Sequence, residues 1–563
     1  MIDARQRRDL FWFFAIALLV LGAGIGLRDP WPADEPRFVL VAKQMWESGD
    51  WLFPHRGHEL YADKPPLYFW LLGLAYAVVR DWTWAFLLPS LFAALGTLWL
   101  AYDLARRLWS HREGLWAATC VLACVAFVYQ AKRAQIDPTV VFFITLGVYG
   151  IARHVLLGPA WRWFWVGCFA AGLGVISKGV GFLALLALIP YALMRWRGWN
   201  GLAELGRGNA MRWSLGALAF FTAMAVWFVP MIVTASTSGD PEHQAYVREL
   251  LFKQTATRYT SAWHHTQPAW YFLEVIAGYW LPFSLALPWL FPRWRDAFRA
   301  REARVWLPLG WALLVLVFFS ASPGKRDMYI LPMLPMMAVA AAPYMDRVAS
   351  SRWFRRLLLA LFVVLGLVFL VAGAAALQGD PRFELKIEAE RGLAPASDAL
   401  WWLLAATGAG MLAACAWWRR DAMKAAGVAF ALLVVVLFSG TAVLLDAENS
   451  ARAVMERGRA MAGDDATLGL VGWKEQNLLQ AVGPVEEFGF RKPVEQQLQA
   501  GIAWMLEAPD ARRLFVLDAA LDACVIREHG RAVGTANRRT WWLLDASAIA
   551  PACRPSPGDA SGD

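Results

Sequence analysis

Charge is scarce in this sequence. Asp, Glu, Lys and Arg make up 18% of its 563 residues, below the roughly 25% of an average soluble domain. Cysteine is scarcer still, six in all, too few and too scattered for a disulfide framework or a CxxC-type zinc module. No internal repeat is visible. The first apolar stretch, from Leu10 to Leu27, meets Arg28-Asp29-Pro30 without a cleavage pattern, so it reads as an anchor and not as a removed signal peptide. What fills the space left by charge is apolar: 58% of the chain, including 33 Trp and 33 Phe. A disordered chain and an ordinary soluble enzyme are both excluded. The net charge of +9 need not mean nucleic acid, because arginine in the cytoplasmic loops of a membrane protein gives the same total.

A membrane-crossing helix needs about 20 apolar residues, and about thirteen stretches approach that length. They are 10–27, 84–104, 114–130, 138–157, 163–177, 179–195, 213–234, 270–291, 305–320, 328–345, 357–377, 399–418 and 425–445. Alternate connections are strongly basic. They hold Arg106, Arg107 and Arg112; Arg195, Arg197, Arg207 and Arg212; Arg293 to Arg304; Arg347 to Arg356; and Arg419, Arg420 and Lys424. Positive loops stay inside, so the expected topology has a cytoplasmic N-terminus and residues 446–563 outside. Two long outer segments follow, 28–83 and 235–269. The first carries amphipathic stretches near Glu35–Trp46 and Pro66–Val79, suited to lie at the interface. From Asp446 the apolar runs shorten and alternate with polar helical stretches, which predicts a small α/β domain over 446–555. Residues 556–563, rich in Ser, Pro, Gly and Asp, are expected to be disordered. Cys120, Cys124, Cys168 and Cys415 fall in apolar stretches and read as core packing. Cys524 and Cys553 fall in the outer domain, where an oxidising compartment would allow them to pair.

Several charged residues sit beside the outer ends of spans, where charge is costly and usually functional. Asp34-Glu35-Pro36-Arg37 opens the first outer loop. It can be a plain helix start, with acids in the first turn, or a site for acid/base or phosphate work. Tyr61-Ala62-Asp63-Lys64-Pro65-Pro66 follows, its prolines stiffening the backbone around a charge pair. Asp137 opens the fourth span just after Lys132 and Arg133, and Lys178 stands between two short apolar blocks; together they resemble the wall of a polar cavity. The second outer loop carries Arg258 and the tandem His264-His265, able to ligate a metal or orient a phosphate. Lys325-Arg326 and Tyr329 lie between the ninth and tenth spans. Cations there break the positive-inside trend, which argues for an anionic ligand at the outer face.

In this order, the Asp-Glu-x-Arg, Tyr-x-Asp-Lys-Pro-Pro, Asp-Pro, Ser-Lys-Gly, His-His-x-x-Pro-x-x-Tyr and Lys-Arg-x-x-Tyr motifs resemble the GT-C integral-membrane glycosyltransferases of the protein-mannosyltransferase type. The nearest likeness is to the branch containing the bacterial lipid A aminoarabinose transferase. The resemblance covers roughly residues 10–345 by motif and the remainder by topology. It implies a GT-C catalytic domain over 1–445, a periplasmic domain over 446–555, and residence in the bacterial inner membrane. It implies transfer of a sugar, with 4-amino-4-deoxy-L-arabinose the leading candidate, from undecaprenyl phosphate to lipid A phosphate or a related envelope acceptor, with inversion. A protein, glycan or other lipid hydroxyl is the alternative acceptor, and a transporter is a more distant alternative. The absence of a Rossmann-like glycine fingerprint agrees with a donor that is not a nucleotide sugar.

By the same resemblance Asp34, Glu35 and Lys64 are catalytic. Arg37, Tyr61, Asp137, Lys178, Arg258, Lys325, Arg326 and Tyr329 bind substrate, the cations caging the departing polyprenyl phosphate. The resemblance also implies a divalent metal such as zinc, held by an acid of the Lys-Pro-Pro motif, a histidine of the second loop and a histidine of the outer domain. This sequence departs from that pattern. The acid is Asp63, a methylene shorter, with His264 or His265 to follow, and the outer domain offers only His529, far along the tail.

Overall fold

The computed structural model describes residues 3–206, 208–250, 266–379, 382–391 and 397–554. Each expected apolar stretch falls on a helix or on a pair of helices. By length and hydropathy, seven helices among the described residues are able to cross a membrane: Trp82–Leu108, Ile136–Leu157, Ala210–Thr237, Ala303–Ala321, Arg352–Leu377, Ser397–Trp417 and Ala422–Leu444. Two bent pairs raise the number to nine. The remaining expected spans are helical but shorter or less apolar. Met333–Ser350, for example, buries its side chains from Met333 to Ala342 against protein, so it needs no lipid-facing apolar surface. The chain is a multi-pass membrane protein.

The long helices form two layers. In Ile136–Leu157 and Trp82–Leu108 the most apolar windows are 72% and 67% buried, whereas in Ala210–Thr237, Arg352–Leu377 and Ala422–Leu444 they are 22% buried. The first two are therefore the inner wall and the last three a lipid-facing rim. Small residues let neighbouring helices approach. A Cβ on Gly150 would come within 2.2 Å of the Trp163 carbonyl, and one on Gly408 within 2.5 Å of the Gly366 carbonyl. Such backbone proximity is the usual means of helix association in lipid, where the hydrophobic effect gives little.

Both bent pairs break at the same place. His111–Leu122 and Val125–Ala131 meet at 71°, and Tyr271–Tyr279 and Phe283–Arg299 meet at 100°. The Val125 N–H donates to the Leu281 carbonyl at 3.0 Å, so each break satisfies a backbone group that the other leaves open.

The polar loops gather on two opposite ends. At one end the arginine-rich connections touch each other: Arg112 pairs with Asp346 at 2.7 Å, and the Asn200 N–H donates to the Arg301 carbonyl at 2.9 Å. At the other lie the first long loop, residues 132–137, 322–332 and the C-terminal region. That region builds a five-stranded sheet in the order Val485–Glu487, Thr467–Val471, Arg512–Leu517, Arg539–Leu544, Arg531–Ala536. Its first three strands are parallel and its last two antiparallel to their neighbours. Leu498, Ile502 and Met505 of the helix Val494–Glu507 pack on Val471, Leu514 and Val516. Cys524 and Cys553 form a disulfide. The tail 556–563 lies outside the described residues.

The sheet sits directly on the first loop. His58 donates its N–H to Glu487 at 2.7 Å, Arg491 donates its own to Glu59 at 3.0 Å, and Phe490 lies 3.8 Å under the Arg56 guanidinium. The close helix contacts give a first prediction. Gly150→Val, which forces a side chain into the Trp163 carbonyl, is expected to destabilise the detergent-solubilised protein by about 1–3 kcal/mol. Gly427→Ala, in the helix Ala422–Leu432 with nothing within 4 Å of the added atom, is expected to hold or slightly raise the melting temperature, because alanine suits a helix interior better than glycine. Equal melting temperatures for Gly150→Val and wild type would contradict the packing.

Candidate active site

Two adjacent carboxylates at the start of the helix Glu35–Ser48 have different environments. Pro36, with no N–H to leave unsatisfied, suits the first turn. Glu35 turns inward and is fully buried. Arg28 donates to both of its oxygens at 2.5 and 2.8 Å. The backbone N–H groups of Trp31 and Ala134 donate to the same carboxylate at 2.8 and 3.1 Å, and Arg133 lies 3.7 Å away. A carboxylate so enclosed has no room for a reacting group. Glu35, expected beside Asp34 as a catalytic residue, is placed as an anchor that binds the first loop to the turn at 133–135.

Asp34 turns outward and is partly exposed. Arg37 approaches one oxygen at 3.6 Å and Arg326 the other at 3.7 Å. Gln135, set by the same turn that Glu35 holds, donates to Asp34 at 3.3 Å. Two guanidiniums from separate loops thus face one carboxylate. Two residues beyond Gln135, Asp137 accepts from Lys178 Nζ at 2.5 Å, and that ammonium lies 5.3 Å from the centre of the Tyr329 ring. The expected pair of Asp137 and Lys178 is brought together, and Tyr329, expected with the cations that follow the ninth span, lies beside it.

The Tyr61 side chain is buried 5.3 Å beneath the Arg56 guanidinium. Burial, and then the charge of nearby Asp63, raise its hydroxyl pKa, against the opposing pull of Arg37 and Arg56. Asp63 and Lys64 stand half-buried before Pro65-Pro66 and are both engaged with neighbours. Lys325, expected in the phosphate cage, donates instead to the carbonyls of Ser322 at 2.6 Å and Gln267 at 2.9 Å. It is 5% exposed. It ties two loops together, and Arg326 beside it carries the reachable charge. Arg258, His264 and His265 lie outside the described residues. Among the described residues no group of three or more His, Cys, Asp or Glu is placed to hold a metal ion. His529, in the outer domain, hydrogen-bonds the Ser547 carbonyl at 2.9 Å.

Sequence reasoning missed three participants. Arg28 looked like the end of a span. Gln135 is neutral, though its place between Arg133 and Asp137 was a signal. Glu475 had none: it comes from the C-terminal domain, and its buried carboxylate accepts from Arg37 Nε at 2.7 Å with Arg56 at 3.5 Å. Burial works against the Arg37 charge, but Glu475 outweighs it and holds the guanidinium pKa above its usual value. A second link runs from Arg452 to both oxygens of Asp29 at 2.5 and 2.8 Å, with Ser450 at 2.7 Å. Asp446 accepts from the Asp29 N–H and the Trp31 indole.

A family profile described as dolichyl-phosphate-mannose-protein mannosyltransferase matches residues 63–227. An undecaprenyl phosphate-alpha-4-amino-4-deoxy-L-arabinose arabinosyl transferase of Pseudomonas fluorescens is 28% identical over 66% of this chain and 66% of its own length. A Pseudomonas aeruginosa protein of that name is 31% identical over 55% of this chain and 54% of its own. The crystal structure of ArnT from Cupriavidus metallidurans bound to undecaprenyl phosphate superposes with a TM-score of 0.73 at 19% identity, covering 96% of this chain and 99% of that one. The chain has the GT-C fold. Its sequence resembles the aminoarabinose transferase branch, and the match spans between about half and two thirds of those curated relatives' length.

Two predictions follow from the anchors. Glu35→Ala leaves Arg28 buried without its partner, a change that typically costs about 3–5 kcal/mol, so the variant is expected to accumulate poorly. Asp34→Asn is expected to fold normally, and equal yields of folded protein from the two would refute the contrast. For Asp29, burial alone would raise the pKa, but the Arg452 and Ser450 hydrogen bonds outweigh it and lower it. A lowered carboxylate contributes stability above its unfolded pKa of about 4 and loses it as the pH falls through the folded value. The melting-temperature gap between wild type and Arg452→Gln is therefore expected at neutral pH, should begin to shrink below about pH 4 and should close once the pH has passed the lowered folded value. A gap that persists there would deny Asp29 this role.

Proposed function

We propose that this chain is a polyprenyl-phosphate-sugar-dependent glycosyltransferase. It moves a sugar, 4-amino-4-deoxy-L-arabinose as the leading candidate, from undecaprenyl phosphate to lipid A phosphate or a related envelope acceptor. The observation that carries this reading is Asp34 flanked by Arg37 and Arg326, with Gln135 donating to it and the Lys178–Asp137 pair two residues further along that segment. The named relatives and the shared fold support it. On this reading the arginine-rich end faces the cytoplasm of the bacterial inner membrane, and the C-terminal domain lies in the periplasm.

The chemistry is a displacement at the anomeric carbon. The acceptor oxygen forms a new bond there while the bond to the polyprenyl phosphate oxygen breaks, which inverts the configuration. The departing phosphate gains negative charge. Arg326, Lys178 and Lys64 supply positive charge at fixed positions, which costs no reorganisation as the reaction proceeds. An acceptor phosphate is already ionised and needs only positioning. A hydroxyl acceptor would need Asp34 to take its proton, and that is the second reading.

The test uses the purified full chain in detergent or nanodiscs, supplied with polyprenyl-phosphate sugars and acceptors, following release of free polyprenyl phosphate. Wild type is expected to turn over, and Asp34→Asn and Lys64→Ala each to lose at least about tenfold. Full activity in both variants would misplace the site. A divalent metal at Asp63 with His264 or His265 belongs to the same reading. Elemental analysis of wild type against His264→Ala/His265→Ala checks it, and equal metal content would remove that role.

A further inference from the structure

We infer that Glu475 of the C-terminal domain is a positioning residue of this site: it holds Arg37 in the orientation that Asp34 meets, so the site is complete only with the domain docked. The inference rests on the transferase reading above. Glu475 stands where the helix Glu475–Leu479 packs against the helix Glu35–Ser48. Its side chain is 5% exposed and touches two guanidiniums, Arg37 at 2.7 Å and Arg56 at 3.5 Å.

The guanidinium is planar and its donors are fixed in direction. Once its Nε edge is taken by Glu475, Arg37 presents Nη1 to Asp34, at 3.6 Å. Arg56 cannot take over that task. It is held between the rings of Phe490 at 3.8 Å and Tyr61 at 5.3 Å, and it meets the same Glu475 oxygen, Oε1, that Arg37 Nε does. Glu475 therefore shares Arg37 between two carboxylates. Without it, Arg37 would be free to close on Asp34 as an isolated pair, or to swing away.

Docking of the domain has other means. Arg452 to Asp29, His58 to Glu487 and Arg491 to Glu59 all cross the same boundary. What sets Glu475 apart from these contacts is that its partner borders the candidate reacting carboxylate.

The experiment measures kcat and KM for polyprenyl-phosphate sugar in the full-length chain for wild type, Glu475→Gln, Arg37→Gln and the double variant, together with melting temperatures. Glu475→Gln is expected to lower kcat about tenfold or more with little change in donor KM. In the Arg37→Gln background it is expected to add less than about twofold, because neighbours that act as one unit are not additive. Arg37→Lys keeps the charge but loses the fork. It is expected to match the kcat loss of Glu475→Gln, and it stands in for that variant should Glu475→Gln not fold. Active wild type with unchanged kcat in Glu475→Gln and Arg37→Lys, or with additive losses in the double variant, overturns the positioning role alone. No turnover by wild type with any donor overturns the transferase reading beneath it.

Discussion

One buried ion pair sets the geometry of the loop end. Glu35 gathers Arg28 from the end of the first helix, the backbone of Trp31 within its own loop, and the backbone of Ala134 from a turn about 100 residues away. Charge at such a depth is tolerated only when every lone pair is met, and here it is. Because Glu35 is fixed, Asp34 beside it must face the opposite way. Because the 133–135 turn is fixed, Gln135 and Asp137 project toward the same region. The positions of the outward-facing groups follow from a residue that never meets solvent.

The C-terminal domain extends this arrangement. Its contacts with the first loop combine charge-assisted pairs with apolar packing: Trp473 and Leu479 belong to the same buried cluster as Phe38 and Tyr61. Asp29, Glu59 and Arg56 on the loop each find a partner in the domain: Arg452, Arg491 and Glu475. The loop, long and rich in turns, has little regular structure of its own beyond two helices and a two-residue ribbon. Its shape is set from below by the membrane helices and from above by the sheet.

Much of this was legible in the sequence. Apolar runs are long and few charges interrupt them, so every membrane helix announced itself. Asp34 with Arg37, Asp137 with Lys178, and Tyr329 were recognisable because ionisable groups near apolar runs demand a reason. Direction was not legible. Asp34 and Glu35 are chemically alike and adjacent, and helical geometry alone does not say which one faces inward. Lys325 and Arg326 are likewise adjacent cations, and only the loop path decides that the first meets two carbonyls and the second meets Asp34. Glu475 lies some 440 residues from Arg37, and nothing in the tail's composition links the two. The stretches 114–130 and 270–291 read as continuous spans on hydropathy, and their breaks, which turn the paired helices by 71° and 100°, were not legible.

Those paired breaks bear on how the chain is made. Tyr271–Tyr279, at nine residues, is about 14 Å long, and a bilayer core is about 30 Å thick. One hydrogen bond, from the Val125 N–H to the Leu281 carbonyl, joins the two breaks. Val125 leaves the ribosome roughly 150 residues ahead of Leu281, which at ordinary rates of synthesis is about 8 to 30 s. Through that interval the N–H that Leu281 will accept has to be satisfied by water or by the insertion machinery. Membrane entry of the first half of the chain and its final packing are thus separate events, and the second waits on translation.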